Sequence, residues 1–192
     1  HLLPRLIGFE LMMAPYAIAH MKIGLKLVET GYTFGSEERA RVFLTNALEP
    51  RAILDLVDTV RSEALAHEAQ AANAAKEGCA YTVIIGNPPY SRESKNLSPA
   101  QKTLVENYKK VDGISVVERG HLELERAVQN DYVKFIALAH QKICNSEIGV
   151  IGMITSNAFL RAHLLSGLRY HWKNNAEQIS IIDLHGYAQG QA

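Results

Sequence analysis

At 192 residues, with 47% hydrophobic and 21% charged side chains, the chain is long enough for one domain with a substantial core. Lys plus Arg is 20 and Asp plus Glu is 20, so net charge indicates no anionic partner, and any nucleic-acid surface has to arise from local clusters. No apolar run reaches the roughly 20 residues of a membrane helix, residues 2–7 lead straight into core-like sequence rather than forming a signal peptide, and Cys79 and Cys144 match no zinc spacing. A cytoplasmic location, no metal and two buried free thiols are the expectations.

In chain order, residues 5–10 read as a short strand ending at Glu10. Residues 11–29, rich in Ala, Met and Leu, read as a helix with Pro15 in its first turn and Gly31 as its C-cap. Residues 41–45 form a second strand running into Asn46. Residues 53–77 are helical by propensity, and the Ala-rich half, 64–75, suggests an exposed arm, a helical insertion rather than core. Residues 81–86 are a third strand opening into Asn87-Pro88-Pro89-Tyr90. A long excursion with partial helices spans 91–130. An amphipathic helix at 132–143, a fourth strand at 149–154 running into Thr155-Ser156-Asn157, a helix at 158–174 and a fifth strand at 179–184 complete the chain.

Near-continuous apolar strands alternating with helices predict an α/β fold, a mostly parallel sheet covered by helices on both faces. Ligands of such sheets bind beyond the strand carboxyl ends, where Glu10, Asn46, the tetrapeptide and Thr155-Ser156-Asn157 all fall. The Asn87 carboxamide oxygen and the Pro88 carbonyl are two acceptors that can take both protons of one exocyclic amino group. That draws the nitrogen lone pair out of conjugation and makes it a better nucleophile. Tyr90 can stack on the same ring, and the two prolines limit the conformations of the turn. The plainer alternative is a Pro-Pro turn whose Asn caps a loop.

Gly86-Asn87-Pro88-Pro89-Tyr90 resembles the motif of S-adenosylmethionine-dependent amino-methyltransferases that act on exocyclic nitrogens. Residues 152–160, Gly-Met-Ile-Thr-Ser-Asn-Ala-Phe-Leu, resemble the later motif of adenine-specific DNA methyltransferases, most closely the methylase part of fused restriction–modification enzymes. Gly8-Phe9-Glu10-Leu11 with Pro15-Tyr16-Ala17-Ile18-Ala19 resembles the same group, and the likeness spans nearly the whole chain in order.

The resemblance implies a Rossmann-like methyltransferase fold. Asn87 and Pro88 would hold the adenine amino group, Pro89 would stiffen the turn, and Tyr90 would stack on the base. Glu10 would accept from the cofactor ribose, although a Glu opening a helix is also common at surfaces. Asn46 stands where the family often has an acidic residue near the cofactor adenine; a loop cap is the alternative. Phe159, Tyr108 and Tyr132 are expected to pack, and His20, His67 and His140 to lie on helix surfaces or in satisfied contacts. No Gly-x-Gly turn precedes the Glu10 strand, so the expectation is a partial domain over 1–192, lacking the first strand and its Gly-rich loop, and binding cofactor poorly by itself.

The implied partner is double-stranded DNA with a flipped adenine, with nuclease, helicase and target-recognition domains elsewhere in the parent chain. Arg92, Lys95, Lys102, Lys109 and Lys110 form one candidate phosphate cluster; Arg161, Arg169 and Lys173, with His163 and His171, form a second. Ordinary solvated helix faces are the alternative for both. Two other readings stay open: an amino-methyltransferase acting on a release-factor glutamine or ribosomal RNA, and a non-catalytic DNA-binding or scaffold module.

Overall fold

The computed structural model describes residues 2–35, 38–51, 63–78, 80–90, 94–143 and 148–184. The chain divides into two compact units, His1–Cys79 and Ala80–Ala192. Cys79 and Cys144 lie outside the described residues, as do the expected helical residues 53–62.

In the first unit, β1 (Ile7–Glu10) and β2 (Arg41–Leu44) pair in parallel, Ile7 opposite Arg41 and Glu10 opposite Leu44. Helix α1 (Met13–Glu29) joins them, with Pro15 in the first turn, where a missing N–H loses no intrahelical bond. Gly31, at φ 80°, ends it. The Gly31 N–H donates to the Val28 carbonyl (2.9 Å) and the Tyr32 N–H to that of Leu27 (3.0 Å), the paired bonds of a Schellman cap. His20 on α1 reaches the Val42 carbonyl through Nε2 at 3.1 Å, so that nitrogen carries the proton.

Helix α2 (Glu63–Gly78) is no exposed arm over its described length. Ala72 and Ala75 are fully buried against Phe43 of β2, with Ile7 and Phe9 beside them. Short alanine side chains let the helix approach the strands closely, so a stretch that looks like surface filler is the wall of a core.

In the second unit, β3 (Val83–Gly86) and β6 (Val150–Met153) pair in parallel, Val83 opposite Val150 and Gly86 opposite Met153. Helix α5 (Asp131–Ile143) packs against both strands. The excursion between them holds α3 (Pro99–Thr103), closed by a Ser98–Gln101 capping box, and a 3-10 turn, Glu106–Lys109. There follow β4 (Lys110–Val111), β5 (Ile114–Ser115) and α4 (His121–Val128). Asp112 and Gly113, both at positive φ, join β4 to β5 as a two-residue hairpin loop.

Val105, Tyr108, Leu124 and Val128 from the excursion make one core with Tyr132, Val133, Ile136, Leu165 and Leu168; Phe159 packs at its edge. The partial helices and packing aromatics are therefore as expected.

Besides α2, two elements differ from expectation. The helix expected at 158–174 is α6 (Ala158–Arg161), a 3-10 turn and α7 (Ser166–Asn175), because Ala162 is extended at φ −65°, ψ 123°. The break lets α7 lie on the 3-10 turn at Gly167, where an added Cβ would stand 2.1 Å from the Tyr108 carbonyl oxygen. Residues 179–184 form no strand; Ile179, Ile181, Ile182 and Leu184 are exposed. An apolar run becomes a strand only where a neighbour supplies the ladder, and none pairs with it among the described residues.

Candidate functional site

Strand β3 delivers the Asn87–Tyr90 turn. The ladder to β6 continues one step past the strand ends, where the Ile154 N–H donates to the Gly86 carbonyl at 3.0 Å. Pro88 is buried beneath the turn, while Asn87, Pro89 and Tyr90 face solvent. The Tyr90 hydroxyl lies 2.8 Å from Asn87 Oδ1 and 3.1 Å from the Ile154 carbonyl oxygen. A phenol has one proton, so it donates to one of the two at a time. The contact orients the carboxamide and leaves Oδ1 a second lone pair for another donor. The Tyr90 ring is half-exposed, free to offer a face to a planar ligand. One residue beyond Ile154, the Thr155 hydroxyl is buried with no hydrogen-bond partner among the described residues.

In the first unit the strand ends carry the two other candidates. Glu10 Oε1 accepts the Met12 N–H at 2.9 Å, fixing the carboxylate ahead of α1. Its backbone carbonyl takes the Thr45 N–H at 2.8 Å, so the Asn46 turn begins beside it. Asn46 Oδ1 accepts the Leu48 N–H at 3.0 Å, an Asx-type turn and the local contact expected of a loop cap.

The sequence reading missed what holds that turn. Lys76 of α2 is 4% exposed, and its Nζ donates to Thr45 Oγ1 (2.8 Å) and to the carbonyls of Asn46 (2.8 Å) and Glu49 (2.9 Å). A lysine in an Ala-rich helix gives no sequence sign of this; only the end of β2 supplies the three acceptors.

The basic candidates separate. Arg92 lies outside the described residues. Lys95, Lys102 and Lys110 are exposed, whereas Lys109 is half-buried between Glu106 and Glu125. In the second cluster Arg161 is exposed and 3.7 Å from Asp183, and His163 and Lys173 are exposed. Arg169 Nη1 donates to the carbonyls of Phe159 (2.7 Å) and Ala162 (2.8 Å), where the helix breaks. His171 stacks edge-on against Tyr108 and His140, with 3.4 Å between the two imidazole nitrogens. Burial lowers the pKa of both histidines, and His140 lowers that of His171 further, so neither ring offers a phosphate a cation at neutral pH.

A second unforeseen network follows the tetrapeptide. Ser94 Oγ donates to Asp131 Oδ1 at 2.6 Å and accepts from Lys134 Nζ at 3.0 Å. Asn96 Nδ2 donates to the same Asp131 oxygen at 2.9 Å, and Lys134 Nζ also donates to the Asn96 carbonyl. Lys134 is wholly buried.

Among the described residues no three metal-ligating side chains cluster, and no helix is long and apolar enough to cross a membrane. Parallel strand pairs ending in polar side chains, with helices between, make this an α/β protein. The chain belongs to the Eco57I restriction-modification methylase family, whose profile matches residues 15–189. Its fold is similar to that of the ATP-dependent Type ISP restriction-modification enzyme LlaBIII bound to DNA, with a TM-score of 0.53 at 21% identity. That likeness covers 85% of this chain and 11% of the length of the larger protein. No curated protein matches the chain.

Proposed function

We propose that this chain is the methylase part of a restriction–modification enzyme and that it methylates the exocyclic N6 amino group of an adenine flipped out of DNA. The observation that carries the reading is the Tyr90–Asn87 contact at the carboxyl end of β3, which keeps an amide oxygen and an aromatic side chain together on one exposed turn. Family membership and a fold neighbour bound to DNA support a DNA substrate over a release factor or ribosomal RNA.

The residues fit an S-adenosylmethionine site in chemical kind. Glu10 retains a carboxylate oxygen beyond the one taken by Met12, suited to a ribose hydroxyl, and Asn46 can donate and accept near an adenine. When bound, that cofactor supplies a methyl group on a sulfonium. Asn87 Oδ1 and the Pro88 carbonyl accept the two amino protons and leave the nitrogen lone pair free. Tyr90 holds the base by stacking, a contact worth about 1–3 kcal/mol. Glu10 and Asn46 would hold the cofactor, which would supply the methyl group, its bond to sulfur breaking as the bond to nitrogen forms; the surplus amino proton would leave to solvent. Positioning and polarisation do the catalytic work. Lys95, Lys102 and Arg161, all exposed, are the phosphate contacts in this reading.

The test is transfer of labelled methyl from S-adenosylmethionine to unmethylated DNA, release factor and RNA, by the wild-type enzyme and Asn87→Ala. Label on DNA adenine N6, lost in the variant, is expected. Label on protein or RNA alone would sink the DNA assignment, and an unimpaired variant would remove Asn87 from the chemistry.

A further inference from the structure

We infer that Lys134 and Asp131 of α5, acting through Ser94 and Asn96, are positioning residues that hold the Asn87–Tyr90 turn in its working shape. The inference rests on the reading of that turn as the reaction site.

Lys134 is 0% exposed and Asp131 7%. A buried ammonium is costly to desolvate, and an apolar side chain of similar volume would serve a core beside Val133, Ile136 and Ala137 at least as well. What the charge adds is geometry. Lys134 Nζ binds Ser94 Oγ and the Asn96 carbonyl, while Asp131 Oδ1 gathers the Ser94 hydroxyl and the Asn96 amide. The Ser94 hydroxyl stands between cation and anion, and it also accepts the Asn96 N–H at 3.1 Å. Asn96 Oδ1 in turn takes the Gln101 amide at 3.3 Å, tying the same segment to α3.

Helix α5 is the common support. It packs on β3 and β6, from which the turn emerges, and it grips the chain again at Ser94 and Asn96. The Gly86–Ile154 ladder bond thus holds the chain immediately before the turn, and the buried network holds it again at Ser94, four residues after Tyr90. Helix α5 packs on the two strands that make the first of these contacts and itself makes the second. Fixing a short segment at both ends removes the conformational freedom that binding would otherwise have to remove. Burial lowers the Lys134 pKa and Asp131 opposes that shift, consistent with a cation held in place by its partners.

The test uses Ser94→Ala, which deletes only the hydroxyl between the charges, and Lys134→Met, which deletes the charge at similar length. Backbone order parameters of Asn87 and Tyr90 are measured by nitrogen relaxation, alongside single-turnover methyl transfer to DNA and the KM for S-adenosylmethionine. Ser94→Ala is expected to melt cooperatively and to drop the order parameters from about 0.85 toward 0.6. Its single-turnover rate should fall on the order of 10- to 100-fold with an unchanged cofactor KM. Lys134→Met, where it folds, should do the same more strongly. Order parameters and rate equal to wild type in Ser94→Ala would overturn the inference. A wild-type enzyme that methylates no DNA would refute the proposed function, while the order parameters would still decide the tether.

Discussion

The Tyr90 hydroxyl stands 2.8 Å from the side-chain oxygen of Asn87, three residues back, and 3.1 Å from the carbonyl of Ile154 at the end of the neighbouring strand. One hydroxyl therefore serves either the proposed amino-group acceptor or the end of β6, one at a time. Ring and hydroxyl are separable by substitution. Tyr90→Phe keeps the ring and should lower the methyl-transfer rate by about 5- to 10-fold, the worth of roughly one hydrogen bond. Tyr90→Ala should lose that and the stacking, a further factor of about 5 to 150. Equal rates for Phe and Ala, in steady-state kinetics on DNA, would show that the ring does not hold a base.

Lys76 is the hidden support of the first unit. Lys76→Met takes the ammonium from the Thr45 hydroxyl and from the carbonyls of Asn46 and Glu49, at a cost of about 2–4 kcal/mol in urea unfolding. Calorimetric titration with S-adenosylmethionine should show weaker binding as well, because the Asn46 turn is what the ammonium holds. Unchanged stability would mean that water replaces the ammonium there.

Two glycines should respond in opposite directions to alanine. At Gly167 the new methyl would collide with the Tyr108 backbone, 2.1 Å away, and the turn cannot move without unpacking the core. A loss of about 3 kcal/mol or more is expected, with a matching drop in Tm. Gly24, inside α1, meets nothing within 4 Å, so Gly24→Ala should gain about 0.5–1 kcal/mol from helix propensity. Thermal denaturation of both variants checks the pair.

The His140–His171 pair gives the second unit a pH dependence. Both folded-state pKa values lie below the ordinary 6.5, through burial and, for His171, the nearby His140. The unfolded chain then binds more protons than the folded one below that value, so stability is full above about pH 6.5 and falls as pH drops beneath it. His171→Phe, which keeps an aromatic edge against Tyr108, should flatten the Tm profile between pH 5 and 7. A profile as steep as wild type would place the effect elsewhere.

Four of the five expected strands were legible because each is a short apolar run bounded by turn residues, and Gly31 marked the end of α1 because a helix exit of that kind demands positive φ. Residues 179–184 have the same apolar pattern as the real strands but pair with no neighbour among the described residues, which composition does not reveal. The break at Ala162 has no proline or glycine to announce it; it follows from Gly167 meeting a backbone far away in sequence. In the candidate site, Asn87 and Tyr90 stood out because their chemistry is local to one turn. Lys76, Lys134 and Asp131 did not, since a buried charge acquires its meaning only from partners that folding brings to it. Asp112–Gly113 is a hairpin dipeptide, but the strands it joins are only two residues each, too short to show an apolar pattern of their own.

The close approach at Gly167 also bears on how far this chain can be trimmed. Helix α7 rests on the peptide groups of Tyr108 and Lys110, so the later motif and the loops after the tetrapeptide share one foundation. A deletion of residues 94–128 would strip α7 of its seat, and a truncation before Ser166 would uncover Tyr108 and Val105. The smallest fragment able to present Asn87 and Tyr90 in this arrangement thus extends through Asn175, and the excursion is not severable from it.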